Sequence, residues 1–331
     1  MAAFSVECVT VQPMISEKYS KLLSGYTYLS NRASGNFAAA LTPLGATAYQ
    51  DDDSNINFLY FDTHQGKRPP EGVEINIQLM ERRKTVPLDN KALLAKRLIK
   101  QGICDPMVYF DVADVPRDQN TLWYIKDPLS SAGKSIQVVQ YNELQSAFKT
   151  GHIIQAAIKD ICLAESRKFT LRVYILVHRN QIYLYPDGIM VIHGFNYDPE
   201  STDYSVQVDH RGYADPGSKV EMRQFSSYHL YLPFMINIAE TAPRIFQAFS
   251  DLLDGDSSRY CLFGLDYLSR NNRTVALIEI NDRPNLLHTH AINQNINIEM
   301  IRDMVVLITQ KRWHDSHDYP QRFFWIGSLY K

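Results

Sequence analysis

Two stretches in the second half of the chain alternate side-chain character in the way antiparallel strands use. Residues 168–177 and 181–185 read as one hairpin, closed near His178-Arg179-Asn180. Residues 262–268 and 275–280 read as another, flanking the turn-rich segment Ser269-Arg270-Asn271-Asn272-Arg273-Thr274. Hairpins mixed with helical patterns, in no strict strand–helix alternation, point to an α+β fold and away from a doubly wound parallel sheet. Shorter apolar runs at 57–61, 122–126, 136–139 and 153–158 read as further strands. Leu93, Leu94 and Leu98 separate from Lys96 and Lys100 at helical spacing, which predicts a helix with Asp89 as N-cap and Gly102 as stop. Helical periodicity also covers 236–253 and 298–310. Glu81-Arg82-Arg83-Lys84 reads as a solvated turn, and the first 55 residues carry no pattern that places them.

The chemistry starts on the first hairpin. Lys168, Thr170 and Arg172 share one strand face, while Phe169, Leu171 and Val173 share the other. Two cations aimed into one space repel unless an anion lies between them, and phosphate fits that role. A solvated strand face is the other reading. On the second hairpin, Glu279 and Asn281 share a face, and Asp266 on the partner strand falls close to opposite Glu279 if the turn closes near Asn272. Paired carboxylates need a cation between them, and oxygen-only donors suit Mg²⁺. The competing reading pairs one acid with Arg270, Arg273 or Arg283. Lys126 ends a strand and is followed by Ser130-Ser131-Ala132-Gly133-Lys134-Ser135. The ending of this loop looks like a phosphate-binding P-loop, but Pro128 stands where that motif needs glycine, and a β-type run follows Ser135. A flap between two strands is the better reading.

Composition narrows the partners. The 331 residues carry a formal net charge of −2, so no global basic field argues for nucleic acid or an anionic membrane. The four cysteines, Cys8, Cys104, Cys162 and Cys261, form no CxxC pair, which argues against a zinc knuckle or redox dithiol. His288 and His290 lack an obvious third zinc ligand. No secretory leader and no membrane-length apolar run is read, so a cytosolic protein is expected.

In order along the chain, these pieces resemble the tubulin tyrosine ligase-like branch of the ATP-grasp superfamily. The resemblance rests on Trp123-Tyr124-Ile125-Lys126 with its small-residue loop, Ile154-Gln155-Ala156-Ala157-Ile158, Lys168-Phe169-Thr170-Leu171-Arg172, Tyr183-Leu184-Tyr185-Pro186-Asp187-Gly188, Phe263-Gly264-Leu265-Asp266 and Glu279-Ile280-Asn281 with Pro284. Asn90-Lys91-Ala92-Leu93-Leu94 resembles the family's helix start, and the likeness covers roughly 85–310. It implies an ATP-grasp fold with the nucleotide between two α+β lobes. The expected division is an N-terminal lobe at 1–115, a central lobe at 116–180, and a C-terminal lobe with the metal site at 181–331.

The resemblance further implies roles for individual residues. Lys91, Lys126 and Lys168 would contact ATP phosphates, and Ser131 and Gly133 would lie in the flap over them. Gln155 and the backbone of Ala157 and Ile158 would bind adenine, and Thr170 would face the ribose. Arg172 would hold the γ-phosphate or acyl-phosphate, with Lys168 and Glu279 also in the catalytic set. Asp266, Glu279 and Asn281 would bind Mg²⁺. The implied reaction activates a carboxylate as an acyl-phosphate, which an amine then converts to an amide, with release of ADP and phosphate. An amino acid would be the amine donor, and a peptide or protein tail, or a small molecule, the carboxylate acceptor. The acceptor site would lie beside Arg172, lined by His193, Arg211 and Arg283. Four departures stand out: Thr170 where the family usually has an acid, one glycine in the flap, Met190-Val191 where the family commonly has an arginine, and no clear His-Leu-Thr-Asn stretch, for which Val208-Asp209-His210-Arg211 is the candidate replacement. The alternatives are an ATP-grasp kinase acting on a small hydroxylated acceptor and a non-catalytic nucleotide-binding protein.

Overall fold

The computed structural model describes residues 17–130, 133–215, 217–309 and 319–330. Along the chain, β1 (Thr27–Ser30), β2 (Thr47–Ala48), β3 (Asn55–Tyr60) and β4 (Glu74–Leu79) come first. They are followed by β5 (Val108–Tyr109), β6 (Trp123–Lys126), β7 (Gln137–Val139) and β8 (Ile153–Ala156). The rest are β9 (Leu163–Ala164), β10 (Arg167–His178), β11 (Gln181–Asn196), β12 (Glu221–Gln224), β13 (Arg259–Ser269), β14 (Val275–Asn281) and β15 (Phe324–Ser328). Strands β5 to β8 make a small sheet in the order β5-β8-β6-β7, and the others join one large sheet.

The large sheet is mixed. Its antiparallel half is built on the two hairpins. His178 pairs with Gln181, and Arg179 and Asn180 both take positive φ (50° and 60°), the conformation a two-residue hairpin turn requires. β10 lies between β11 and β13. The parallel half is β2-β1-β3-β4, joined through β4 to the start of β13, where Arg259 pairs with Gln78 and Tyr260 with Leu79. The N-terminal strands and the C-terminal hairpins therefore share one sheet, and β10, which precedes residue 180, is central to it.

Helices cover both faces. Phe169, Leu171, Val173, Ile175 and Val177 pack in one core with Phe234, Ile238 and Phe246 of the helix Tyr231–Gln247. Tyr174 and Leu176 pack in the other, with Ile301, Met304 and Ile308 of the helix Ile298–Thr309. Each of these fully buried side chains contributes roughly 1.5–3 kcal/mol through burial. The consequence for β10 is simple. The face carrying Lys168, Thr170 and Arg172 turns apolar at Tyr174, where the closing helix begins to cover it. Only the first half of that face is left for a ligand.

The helix Lys91–Lys100 starts one residue later than the sequence predicts. Asn90 is its cap, its side-chain oxygen accepting from the backbone N–H of Ala92 and of Leu93 at 3.0 Å each. Asp89 instead ends a separate helix, Arg82–Asp89, which runs through Pro87. The expected turn at Glu81-Arg82-Arg83-Lys84 is thus the start of that helix. Pro87 is the sixth residue of that helix, an interior position where proline has no N–H to donate and its ring crowds the carbonyl four residues back, and this hides the helix from pattern reading.

Candidate active site

Two buried lysines face each other across the gap between the sheets. Lys126 ends β6, and its Nζ donates to the side-chain oxygen of Gln155 on β8. Lys168 is the second residue of β10, and its Nζ donates to the Gln207 carbonyl at 2.8 Å and the Tyr124 hydroxyl at 3.1 Å. They are only 5% and 6% exposed, which matters because every one of these partners is neutral. Burial lowers both lysines to about 7; for Lys126, nearby Glu279 opposes the drop while Lys91 and Lys168 add to it. Buried cations usually carry an anionic partner, and these two have none among the described residues. They line a narrow inner pocket with Tyr124, Thr170 and His193, closed by the apolar side chains of Ile136, Ile158, Leu268 and Ile278.

Next to it opens a larger cleft of about 720 Å³, bordered like the inner pocket by Thr170 and His210. At its floor Asp266 and Glu279 lie directly opposite one another on β13 and β14. A β-bulge makes this possible. Ser269 pairs with Val275, so regular pairing would bring Ile278 opposite Asp266; the register shift between Asp266 and Tyr267 brings Glu279 there instead. Two cations balance the two carboxylates. Arg172 grips Asp266 in a two-pronged contact, Nε to Oδ1 and Nη2 to Oδ2, the latter at 2.7 Å. Lys91 Nζ lies 3.0 Å from Glu279 Oε2 and also donates to the Ser130 carbonyl at 2.6 Å, tying the start of the flap to the acid pair. Burial pushes both carboxyls upward. For Glu279 the pull of Lys91 and Arg172 outweighs burial and holds it well below the usual range, while Asp266 stays raised in spite of Arg172.

Gly264 explains how Arg172 comes so close to the acid pair. A Cβ there would stand 2.9 Å from Pro284 Cβ and 3.0 Å from Arg172 Cδ. Gly264→Ala is therefore expected to push Arg172 off Asp266. The loss of stability should be about 1–3 kcal/mol, read as a lowered melting temperature.

The structure places the remaining sequence-predicted residues as follows. Gly133 docks on the segment after β11, its carbonyl accepting from the Tyr204 hydroxyl at 3.0 Å. Ser131 lies outside the described residues. Gln155 and Ile158 line the inner pocket, whereas the Ala157 N–H is already donated to the Leu122 carbonyl at 2.9 Å. Asn281 borders the cleft, its Nδ2 3.4 Å from the Gly264 carbonyl. Arg211 and Arg283 line the cleft, whereas His193 lines the inner pocket. Arg270 pairs with Asp105, and Arg283 lies 3.7 Å from Asp282, so neither neutralises the acid pair. The far wall was invisible in the sequence: Asp62 bridges Arg32 at 3.2 Å and Arg82 at 3.6 Å. Arg32 and Asp62 lie just past the ends of β1 and β3, and Arg82 opens the unpredicted helix, where no periodic signal singles them out.

The donor chemistry fits a hard divalent cation, with two opposed carboxylates and an amide beside an open cleft. Among the described residues no group of three or more His, Cys, Asp or Glu is gathered for a metal.

A family model described as the tubulin-tyrosine ligase family matches residues 55–210 and 223–314. The chain belongs to the tubulin-tyrosine ligase family. The match takes in Lys91, Lys126, Lys168, Arg172, Asp266, Glu279 and Asn281, and the mixed α+β fold is the one the family implies. A probable alpha-tubulin polyglutamylase of Tetrahymena thermophila, Ttll1, is 23% identical over 240 residues, covering 62% of this chain and 58% of that protein. The tubulin monoglutamylase TTLL4 of Homo sapiens is 23% identical over 219 residues, covering 56% of this chain and 18% of that protein. This family member thus spans little more than half of the first relative and under a fifth of the second. Among the described residues no helix is long and apolar enough to cross a membrane.

Proposed function

We propose that the protein is an ATP-dependent carboxylate–amine ligase. The observation that carries this reading is the pair of buried lysines without acidic partners, set beside two opposed carboxylates that borrow Arg172 and Lys91 as counterions. A triphosphate answers both halves. Its oxygens supply the anions that Lys126 and Lys168 lack, and they draw Lys91 and Arg172 away from the acids. Asp266, Glu279 and Asn281 would then hold Mg²⁺, which when bound supplies charge neutralisation for the phosphates. The base would lie against the apolar side chains of the inner pocket, and the triphosphate would run from Lys126 and Lys168 there to Arg172 in the cleft.

The chemistry asked of these residues is positioning and charge stabilisation. An acceptor carboxylate oxygen attacks the γ-phosphorus, and ADP leaves with the bridging oxygen. The amine nitrogen then attacks the acyl carbon and gives up a proton. Phosphate departs with one former carboxylate oxygen. Arg172, freed from Asp266, holds the transferring phosphoryl group. The arginines of the far wall, Arg32 and Arg82, would hold the substrate's remaining carboxylates. The relatives' names suggest a protein tail as acceptor and an amino acid as donor, with tubulin tails the first to try.

The test is ADP and phosphate release with Mg²⁺ and ATP, screened against tubulin, acidic peptides and single amino acids. Release that requires both a carboxylate acceptor and an amine supports the ligase. Release with a hydroxylated acceptor and no amine would replace it with a kinase.

ATP binding should also draw protons into the site. At pH 8 the two lysines, lowered to about 7, are mostly neutral, and phosphate contact favours their charged form. Calorimetric titration of ATP in buffers of different ionisation enthalpy should register uptake of one to about two protons at pH 8 and less at pH 6.5.

A further inference from the structure

We propose that His193 reads a ribose hydroxyl of the nucleotide, an inference that rests on the ATP reading above. His193 is 1% exposed, and neither of its ring nitrogens has a hydrogen-bond partner, although both are buried. The Val206 backbone approaches the ring as a weak hydrogen-bond acceptor, short of a well-formed bond, and can serve only one of the two nitrogens. Buried polar side chains nearly always find a partner, and a ring with no well-formed one calls for an explanation. The imidazole lines the inner pocket, where a ligand can supply what the protein does not.

Its position selects the part of the ligand. Phe169 pairs with Ile192 and Thr170 with Val191, so His193 stands on the same sheet face as Lys168 and Thr170. The His210 ring packs on it with centroids 5.7 Å apart and planes inclined by 34°. His210 is itself anchored, its Nδ1 2.8 Å from the Val208 carbonyl. Thr170 and His210 border both the inner pocket and the cleft, so this group of side chains marks the passage between them. With a base among Ile136, Ile158 and Ile278, and phosphates beside Arg172, the sugar occupies that passage.

The chemistry agrees. Burial, then the neighbouring Lys168 and His210, keep the imidazole neutral. A neutral imidazole offers one donor and one acceptor nitrogen, and a hydroxyl can meet either. A phosphate oxygen, an acceptor only, would use only half of that capacity and already has lysine and arginine to choose from.

The experiment compares Kd values for ATP, 2′-deoxyATP and 3′-deoxyATP, by calorimetry with Mg²⁺, on the wild-type protein, His193→Ala and His193→Asn. The wild type is expected to bind at least one deoxynucleotide about tenfold more weakly than ATP. His193→Ala should bind ATP and that analogue equally. His193→Asn keeps a donor and an acceptor, so it should retain part of the preference, which guards against a general packing defect in the alanine variant. A wild type that binds all three alike, or an alanine variant that keeps the full preference, overturns the assignment of His193 and leaves the ATP reading standing. A wild type that binds none of them overturns both.

Discussion

Replacing Glu279 with glutamine is expected to lower amide formation at least about 10²-fold while leaving the fold intact. The substitution keeps the size of the side chain and an oxygen for Lys91, but removes one of two negative charges at the cleft floor. Glu279 is held ionised by Lys91 and Arg172, so its charge is present at any working pH. Without it, Asp266 alone faces Arg172 and Lys91, and a divalent cation loses half of its anionic ligand set. The stability change should be small, on the order of 1 kcal/mol, because the loss of attraction to Lys91 is offset by relief of repulsion between the two acids. One sign separates this from simple damage. In EDTA the variant should bind free ATP at least as tightly as the wild type, since a negative charge beside the phosphates has gone. With Mg²⁺ the order should reverse. Unchanged turnover would remove Glu279 from the site.

Lys126→Met and Lys168→Met are expected to do two opposite things. Each should weaken ATP binding roughly 10- to 100-fold, the worth of a charge-assisted hydrogen bond to phosphate. Each should also stabilise the ligand-free protein, by on the order of 1–4 kcal/mol, because a buried ammonium with only neutral partners is replaced by an apolar chain of similar length. The pH dependence carries the sign. In the folded protein these lysines titrate near 7, against 10.5 ordinarily, so between those values the unfolded chain binds more protons than the folded one. Wild-type stability therefore gains with rising pH across that window, falls relative to the methionine variants as pH drops from 10.5 towards 7, and levels off below 7. Denaturant titrations at pH 6.5 and 9 would measure it: the advantage of each variant should be larger at the lower pH.

How much of this could be read from the chain depends on the residues concerned. The β10–β11 and β13–β14 hairpins were legible because alternation is local and polar, turn-rich segments separate their strands. The parallel half was not, since β4 finds β13 some 180 positions away and short buried runs carry no alternation. The helix Arg82–Asp89 was hidden by Pro87. At the site, Lys168, Thr170 and Arg172 were legible as one strand face. The pairing of Asp266 with Glu279 was expected, yet the bulge that achieves it has no signal in the sequence. Arg32, Asp62 and Arg82 could not be placed, because what makes them neighbours is the packing of the N-terminal strands against β13 and not any spacing along the chain.

The most direct test of a ligase follows an oxygen atom. The acceptor carboxylate is labelled with ¹⁸O, the protein is supplied with Mg²⁺, ATP and an amino acid, and the released phosphate is examined by mass spectrometry. Transfer of one label into phosphate, dependent on the amine and lost in Glu279→Gln, is the predicted result, because only an acyl-phosphate displaced by an amine moves that atom. Amide formation with unlabelled phosphate, or ATP turnover with the label still on the acceptor, would contradict the account.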